Sequence, residues 1–161
     1  MVKNSTFLVK RKNIKQIEEG SDFAPKFSKD GLIPVVTTDY KSNEVLMHGF
    51  MNKQALIATI KTGEATYWSR SRKTLWRKGQ TSGFVQKIRE MLIDDDQDAI
   101  WLRVDVRGGA SCHVGYRSCF YRSIPLGKIK NAEKLEIEFK EKKKIFDPKK
   151  VYKNEPSPTK L

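Results

Sequence analysis

Apolar and β-branched positions crowd together in Gly31-Leu32-Ile33-Pro34-Val35-Val36-Thr37-Thr38-Asp39 and again in Glu44-Val45-Leu46-Met47-His48-Gly49-Phe50-Met51. The polar stretch Asp39-Tyr40-Lys41-Ser42-Asn43 separates them, so the pair reads as two strands of a hairpin. Pro34 has no N–H for a ladder and points to an edge or a bulge. From Asn52 the period changes. Ala55, Leu56, Thr59 and Ile60 share one face of a helix running from about Lys53 to Thr62, with Asn52 as N-cap and Gly63 just past the end. Ala65-Thr66-Tyr67-Trp68-Ser69 returns to strand character, and Ser69 to Gly83 reads as a basic loop with little periodicity. Phe84 to Asp94 mixes apolar and polar residues as a half-buried strand does, although Val85, Ile88, Met91 and Leu92 also fit a helix. Ala99-Ile100-Trp101-Leu102-Arg103-Val104-Asp105-Val106 is the clearest strand, ended by Arg107-Gly108-Gly109.

These elements predict an α+β domain, mostly antiparallel β-sheet with one or two helices, over residues 28–125. Residues 1–27 read as a polar leader outside the core. Residues 126–161, rich in lysine and glutamate, read as a partly disordered extension with an amphipathic piece around Leu135-Glu136-Ile137-Glu138-Phe139. At 161 residues the chain has the length of one domain. No apolar run approaches the roughly 20 residues that cross a bilayer, and the N-terminal stretch has no secretory pattern. The expected compartment is the cytoplasm, where a cysteine pair points to metal binding or catalysis before a disulfide. The net charge of +13 implies phosphate-bearing partners, either nucleic acid or a small phosphorylated substrate.

Three segments carry candidate chemistry. Ala110 to Arg122 holds both cysteines, Cys112 and Cys119, and one of the two histidines, His113. Thiolate and imidazole suit zinc. A spacing of seven is too wide for a zinc knuckle, and two thiolates leave a tetrahedral site incomplete, so further ligands must come from elsewhere. Two buried apolar cysteines beside a surface histidine would fit the spacing as well. Asp94-Asp95-Asp96-Gln97-Asp98 concentrates hard oxygen ligands that suit magnesium. If extended, it turns Asp94, Asp96 and Asp98 to one side and Asp95 to the other. The plainer alternative is an acidic turn between two strands. Finally, Trp68-Ser69-Arg70-Ser71-Arg72 and Lys78-Gly79-Gln80-Thr81-Ser82-Gly83 combine arginine forks, hydroxyls and glycine-freed N–H groups, which phosphate oxygens require. They read as a phosphate and nucleotide pocket, a solvated basic loop or a single-strand nucleic-acid site.

Taken in order, these segments resemble the phosphoribosyl-AMP cyclohydrolases of histidine biosynthesis. The likeness runs from Gly31 to Arg122 and includes Glu44-Val45-Leu46-Met47, Thr62-Gly63-Glu64-Ala65-Thr66, Leu75-Trp76-Arg77-Lys78-Gly79, the aspartate cluster and Cys112-His113 through Arg122. The resemblance implies an intertwined homodimer with active sites shared between subunits, Zn2+ and Mg2+ as cofactors, and opening of the adenine ring of phosphoribosyl-AMP between N1 and C6. It assigns Asp94, Asp96 and Asp98 to magnesium, Cys112 and Cys119 to zinc, and the basic, hydroxyl-rich segments to the substrate. Two departures stand out. A third family thiolate falls at Asp95, where a carboxylate is a harder ligand for zinc. Phe84 stands where a polar residue is usual.

The expected chemistry is attack on C6 by a water that zinc ionises near neutral pH, with His113 as the proton carrier. His48 is expected to serve packing or the surface. The competing class is a basic single-stranded nucleic-acid-binding module. It gives no role to the aspartates, whose charge would repel a phosphate backbone, so nucleic acid is the less favoured partner.

Overall fold

β-Branched and apolar side chains at alternate positions build a four-stranded sheet, and the remaining elements are arranged around its two ends. The computed structural model describes residues 7–127 and 135–161. In chain order the elements are α1 (Ile14–Glu18), β1 (Ile33–Asp39), β2 (Val45–Met51), α2 (Lys53–Thr62), β3 (Thr66–Ser69) and β4 (Thr74–Arg77). They continue with β5 (Gln86–Ile93), β6 (Ile100–Val106), β7 (Arg122–Ser123), β8 (Glu138–Phe139) and α3 (Pro148–Tyr152). The main sheet has the order β2-β1-β6-β5, and β3-β4 and β7-β8 form two small ribbons. The β1–β6 pairing is parallel and the other strand pairs are antiparallel. The architecture is α+β, as the pattern predicts.

One sheet face is the core. Val35 and Thr37 of β1 lie level with Ile100 and Leu102 of β6, Ile33 and Thr37 lie level with Met51 and Met47 of β2, and these residues and Val104 are buried. Ala55 and Leu56 of α2 and Tyr67 of β3 cover them. Helix α2 begins and ends where the caps require: Asn52 Oδ1 accepts the Ala55 N–H at 2.8 Å, and Gly63 takes φ 69. The opposite face carries Val36, Trp101 and Leu92 side by side on β1, β6 and β5, between 36% and 40% exposed.

Several local readings change. Pro34 marks no edge, because β1 runs through the sheet interior; it sits one residue before the β6 ladder begins at Val35, so its missing N–H is not needed there. The stretch read as a loop from Ser69 to Gly83 contains β4, paired with β3. The segment 94–98 is not extended. It is a tight turn in which Asp94 Oδ1 accepts the N–H groups of Asp98 and Ala99, and Gln97 adopts φ 59. The alternation argument for Asp95 therefore fails, and the acidic-turn alternative describes the backbone.

Part of the leader packs. Gln97 ties the acidic turn to it, donating to the Ile17 and Asp22 carbonyls and accepting from the Ala24 N–H. Ile17 and Ala24 are buried, and Leu8, Phe23 and Phe27 lie against the core. The amphipathic piece around Leu135 to Phe139 supplies the short strand β8. Of the lysine-rich stretch, residues 128–134 lie outside the described residues.

Candidate active site

The segment after β6 folds back along the sheet and brings the two cysteines together. Ser111 and Cys112 N–H groups donate to the Arg117 and Tyr116 carbonyls, Gly115 turns with φ 105, and the Cys119 N–H donates to the Leu46 carbonyl of β2 at 2.7 Å. Ser118 Oγ donates to the Val45 carbonyl. The bend at Gly115 overcomes the seven-residue spacing, because the Cys112 and Cys119 side chains come within hydrogen-bonding reach of each other. Both are free thiols, Cys112 buried and Cys119 exposed. The neighbouring Cys119 side chain pulls the ionisation of Cys112 down to about 6, while Cys112 and burial push that of Cys119 up. A pair poised between thiolate and thiol is a soft donor set.

Lys78, at the end of β4, is buried beside this pair and donates from Nζ to the Ser111 carbonyl. Burial lowers its pKa, and the two sulfurs oppose that shift. His113 is also lowered, first by burial and then by the charge of Lys78, which keeps its imidazole neutral at neutral pH. Gly79 follows with φ 85, and a Cβ there would collide with the backbone of Val85, so the turn from 79 to 83 requires glycine at this position.

Beneath the cysteine segment runs a buried polar chain that the sequence pattern did not reveal. The Thr37 hydroxyl lies 2.7 Å from Tyr67 OH, which donates to Gln86 Oε1 at 2.7 Å. Gln86 Nε2 in turn donates to Ser111 Oγ at 3.2 Å. Gln86 is fully buried, and nothing in its local sequence distinguishes it from a solvent-facing strand residue. Its partners come from three distant elements.

The other candidates lie elsewhere in the protomer. Arg70 and Ser71 occupy the exposed tip of the β3–β4 ribbon, and the Arg70 guanidinium lies 4.0 Å over the Phe50 ring. Ser69 Oγ accepts from Arg72. Trp68 is half-buried, whereas Thr81 and Gly83 are exposed with Ser82 between them. Arg70 and Ser71 face Pro158 and Lys160 across an open cleft of about 450 Å³. His48 is exposed, edge-on to Phe50.

In the acidic turn, oxygens of Asp94, Asp95 and Asp96 come within 4.8 Å of one another, the spacing of a hard-cation donor set. Lys26 lies between Asp96 and Asp98 at 3.7 and 3.5 Å. The turn precedes β6 and the cysteine segment follows it, and among the described residues no cysteine belongs to the group of acidic oxygens within one protomer.

Comparison with known proteins gives a family match that spans these segments. The sequence profile of the phosphoribosyl-AMP cyclohydrolase family matches residues 47–121, which takes in Lys78, the acidic turn and both cysteines. A phosphoribosyl-AMP cyclohydrolase of Rhodopseudomonas palustris strain TIE-1 is 54% identical over 136 residues, covering 84% of this chain and 88% of that protein. Those of Nitrobacter winogradskyi and Nitrobacter hamburgensis are 47% and 49% identical, over 88% and 84% of this chain and 94% and 90% of theirs. With identity at this level along most of its length, the chain belongs to the phosphoribosyl-AMP cyclohydrolase family.

Proposed function

We propose that this protein hydrolyses the N1–C6 bond of the adenine ring of phosphoribosyl-AMP, the ring-opening step of histidine biosynthesis, in a site that two copies of the chain complete together. The observation that carries the reading is the pairing of Cys112 with Cys119 at one end of β6 while Asp94, Asp95 and Asp96 gather at the other. Among the described residues one protomer does not join the two donor sets in a single ligand group. A two-fold pair can, each copy offering its turn to the other's sulfurs. The outer sheet face, with Val36, Trp101 and Leu92 uncovered, supplies apolar area for such a partner.

Cys112 and Cys119 would hold zinc with Asp95 of a second copy as a further ligand, and Asp94, Asp96 and Asp98 would hold magnesium. When bound, the first would supply a water ionised near neutral pH and the second a counter-charge for substrate oxygens. The arrangement requires Asp95 to leave the cluster it forms with Asp94 and Asp96, and Lys26 to release Asp96 and Asp98.

Hydrolysis forms a bond from water oxygen to C6 and breaks the N1–C6 bond, with a proton arriving on N1. His113, neutral because of its burial and of Lys78, takes the proton from the incoming water and returns it to the ring. Lys78 fixes the Ser111 carbonyl and offsets the negative charge of the sulfurs. The Arg70 and Arg72 forks with Trp68, Ser69 and Ser71 at one end of the β3–β4 ribbon, and Gly79, Thr81, Ser82 and Gly83 in the turn after its other end, bind the phosphates and the base.

The test is an ultraviolet assay of phosphoribosyl-AMP consumption before and after chelation, with metals added back singly. Activity is expected to vanish on chelation and to return with zinc and magnesium together. Full turnover in protein shown by elemental analysis to be zinc-free sinks the reading.

A further inference from the structure

The lysine-rich extension after residue 134 does not hang free of the cysteine segment; it closes over it. The Glu141 carboxylate accepts two consecutive backbone N–H groups, Oε2 from Arg117 and Oε1 from Ser118, each at 2.9 Å. Those amides immediately precede Cys119. Four residues on, the Ile145 N–H donates to the Gly115 carbonyl at 2.7 Å, at the bend that reunites the two sulfurs. Just before the first anchor the Lys140 N–H donates to the Tyr121 carbonyl. Phe139 lies against the stacked rings of Tyr116 and Tyr121, whose centroids are 4.0 Å apart. Phe146 meets Phe84 at 4.7 Å, so the residue that departs from the family pattern has an apolar partner in this extension.

We propose that Glu141 is a positioning residue for the Cys112–Cys119 segment, and that the extension acts as a clamp holding the two sulfurs at the separation a shared ion needs. The inference rests on the metal reading above and adds to it a residue outside the stretch that the family profile matches. A carboxylate that takes two adjacent backbone donors fixes the peptide plane between them, and bonds to a charged acceptor are about twice as strong as neutral ones. The remaining faces of Arg117 are already taken, by Glu44 at 2.6 Å, Asp39 at 3.1 Å and the Gly109 carbonyl at 3.1 Å. With Glu141 in place, the residues between the sulfurs have few directions left in which to move. Without it, residues 117–119 keep their ties to β2, the Ser111 N–H on the Arg117 carbonyl and the contacts of the Arg117 side chain.

The experiment compares full-length wild type, Glu141→Ala and Glu141→Gln by amide hydrogen exchange and by zinc affinity from competition with a chromophoric chelator. In Glu141→Ala the Arg117 and Ser118 amides are expected to lose protection while the β6 amides keep theirs. Zinc affinity is expected to fall about 10- to 100-fold, the usual effect of losing a group that orients a ligand. Glu141→Gln retains one oxygen acceptor and is expected to fall between the two, which keeps the test sound should the alanine variant fold poorly. Unchanged zinc affinity in both variants overturns the inference, as does retained protection of the two amides. A wild-type protein that takes up no zinc overturns the metal reading itself, and this inference with it; that result is read before any variant is compared.

Discussion

Cys112 and Cys119 share one short contact, and this decides how the pair gives up its protons. The first leaves early, because the resulting thiolate accepts the remaining S–H, and the second leaves late, because it would place two like charges together. Metal-free protein titrated by thiolate ultraviolet absorbance should therefore show one ionisation below the ordinary cysteine range and one above it. In Cys119→Ala the donor is gone, so the Cys112 ionisation should move upward. An early step that persists in Cys119→Ala would contradict the assignment. At this scale the sequence offered candidate residues by type but not how they meet. Side-chain type was enough to single out the cysteines, His113 and the aspartates. It could not reveal Gln86, buried by contacts from Tyr67, Met47 and Ser111, or Glu141, one acidic residue in a run of lysines.

Elements were legible where their signals are local. Helix α2 has its cap, its apolar face and its terminating glycine within twelve consecutive residues; the cap and the glycine are used as expected, and of the face Ala55, Leu56 and Thr59 are buried while Ile60 is exposed. Loss of the Asn52 side-chain cap in Asn52→Ala should cost about 1 kcal/mol. Gly79→Ala should cost more, since it adds a positive-φ penalty to a collision with the Val85 backbone. Paired thermal or urea unfolding of the two variants gives the order directly. Strand β4 was missed because its residues, Thr74-Leu75-Trp76-Arg77, are mostly exposed and sit between basic turns, so no burial period marks them. Of the two alternatives for residues 94–98, the turn holds and the extended one does not, for a related reason. Four like charges describe a composition, whereas the Asx-type bonds from Asp94 that bend the chain depend on geometry.

At the scale of the molecule the sequence pattern was sufficient for fold class and for most of the strand order along the chain. It could not place β1 between β2 and β6, a non-local and parallel pairing. That central position aligns the sheet so that β6 separates the acidic turn from the sulfurs. The extension shows the same limit. Its composition resembles that of a free tail, yet Phe139, Glu141 and Phe146 each have partners distant in sequence, which no local window can supply.

The span of β6 has a consequence for inheritance as well as for chemistry. If each centre borrows one half from a neighbour, two crippled chains can rescue each other. Cys112→Ser and Asp95→Ala should each be inert alone, yet a refolded equal mixture should regain about a quarter of full turnover, because half the pairs are hybrids and each hybrid rebuilds one centre while concentrating both lesions in the other. A mixture as dead as its components would mean that every chain works alone.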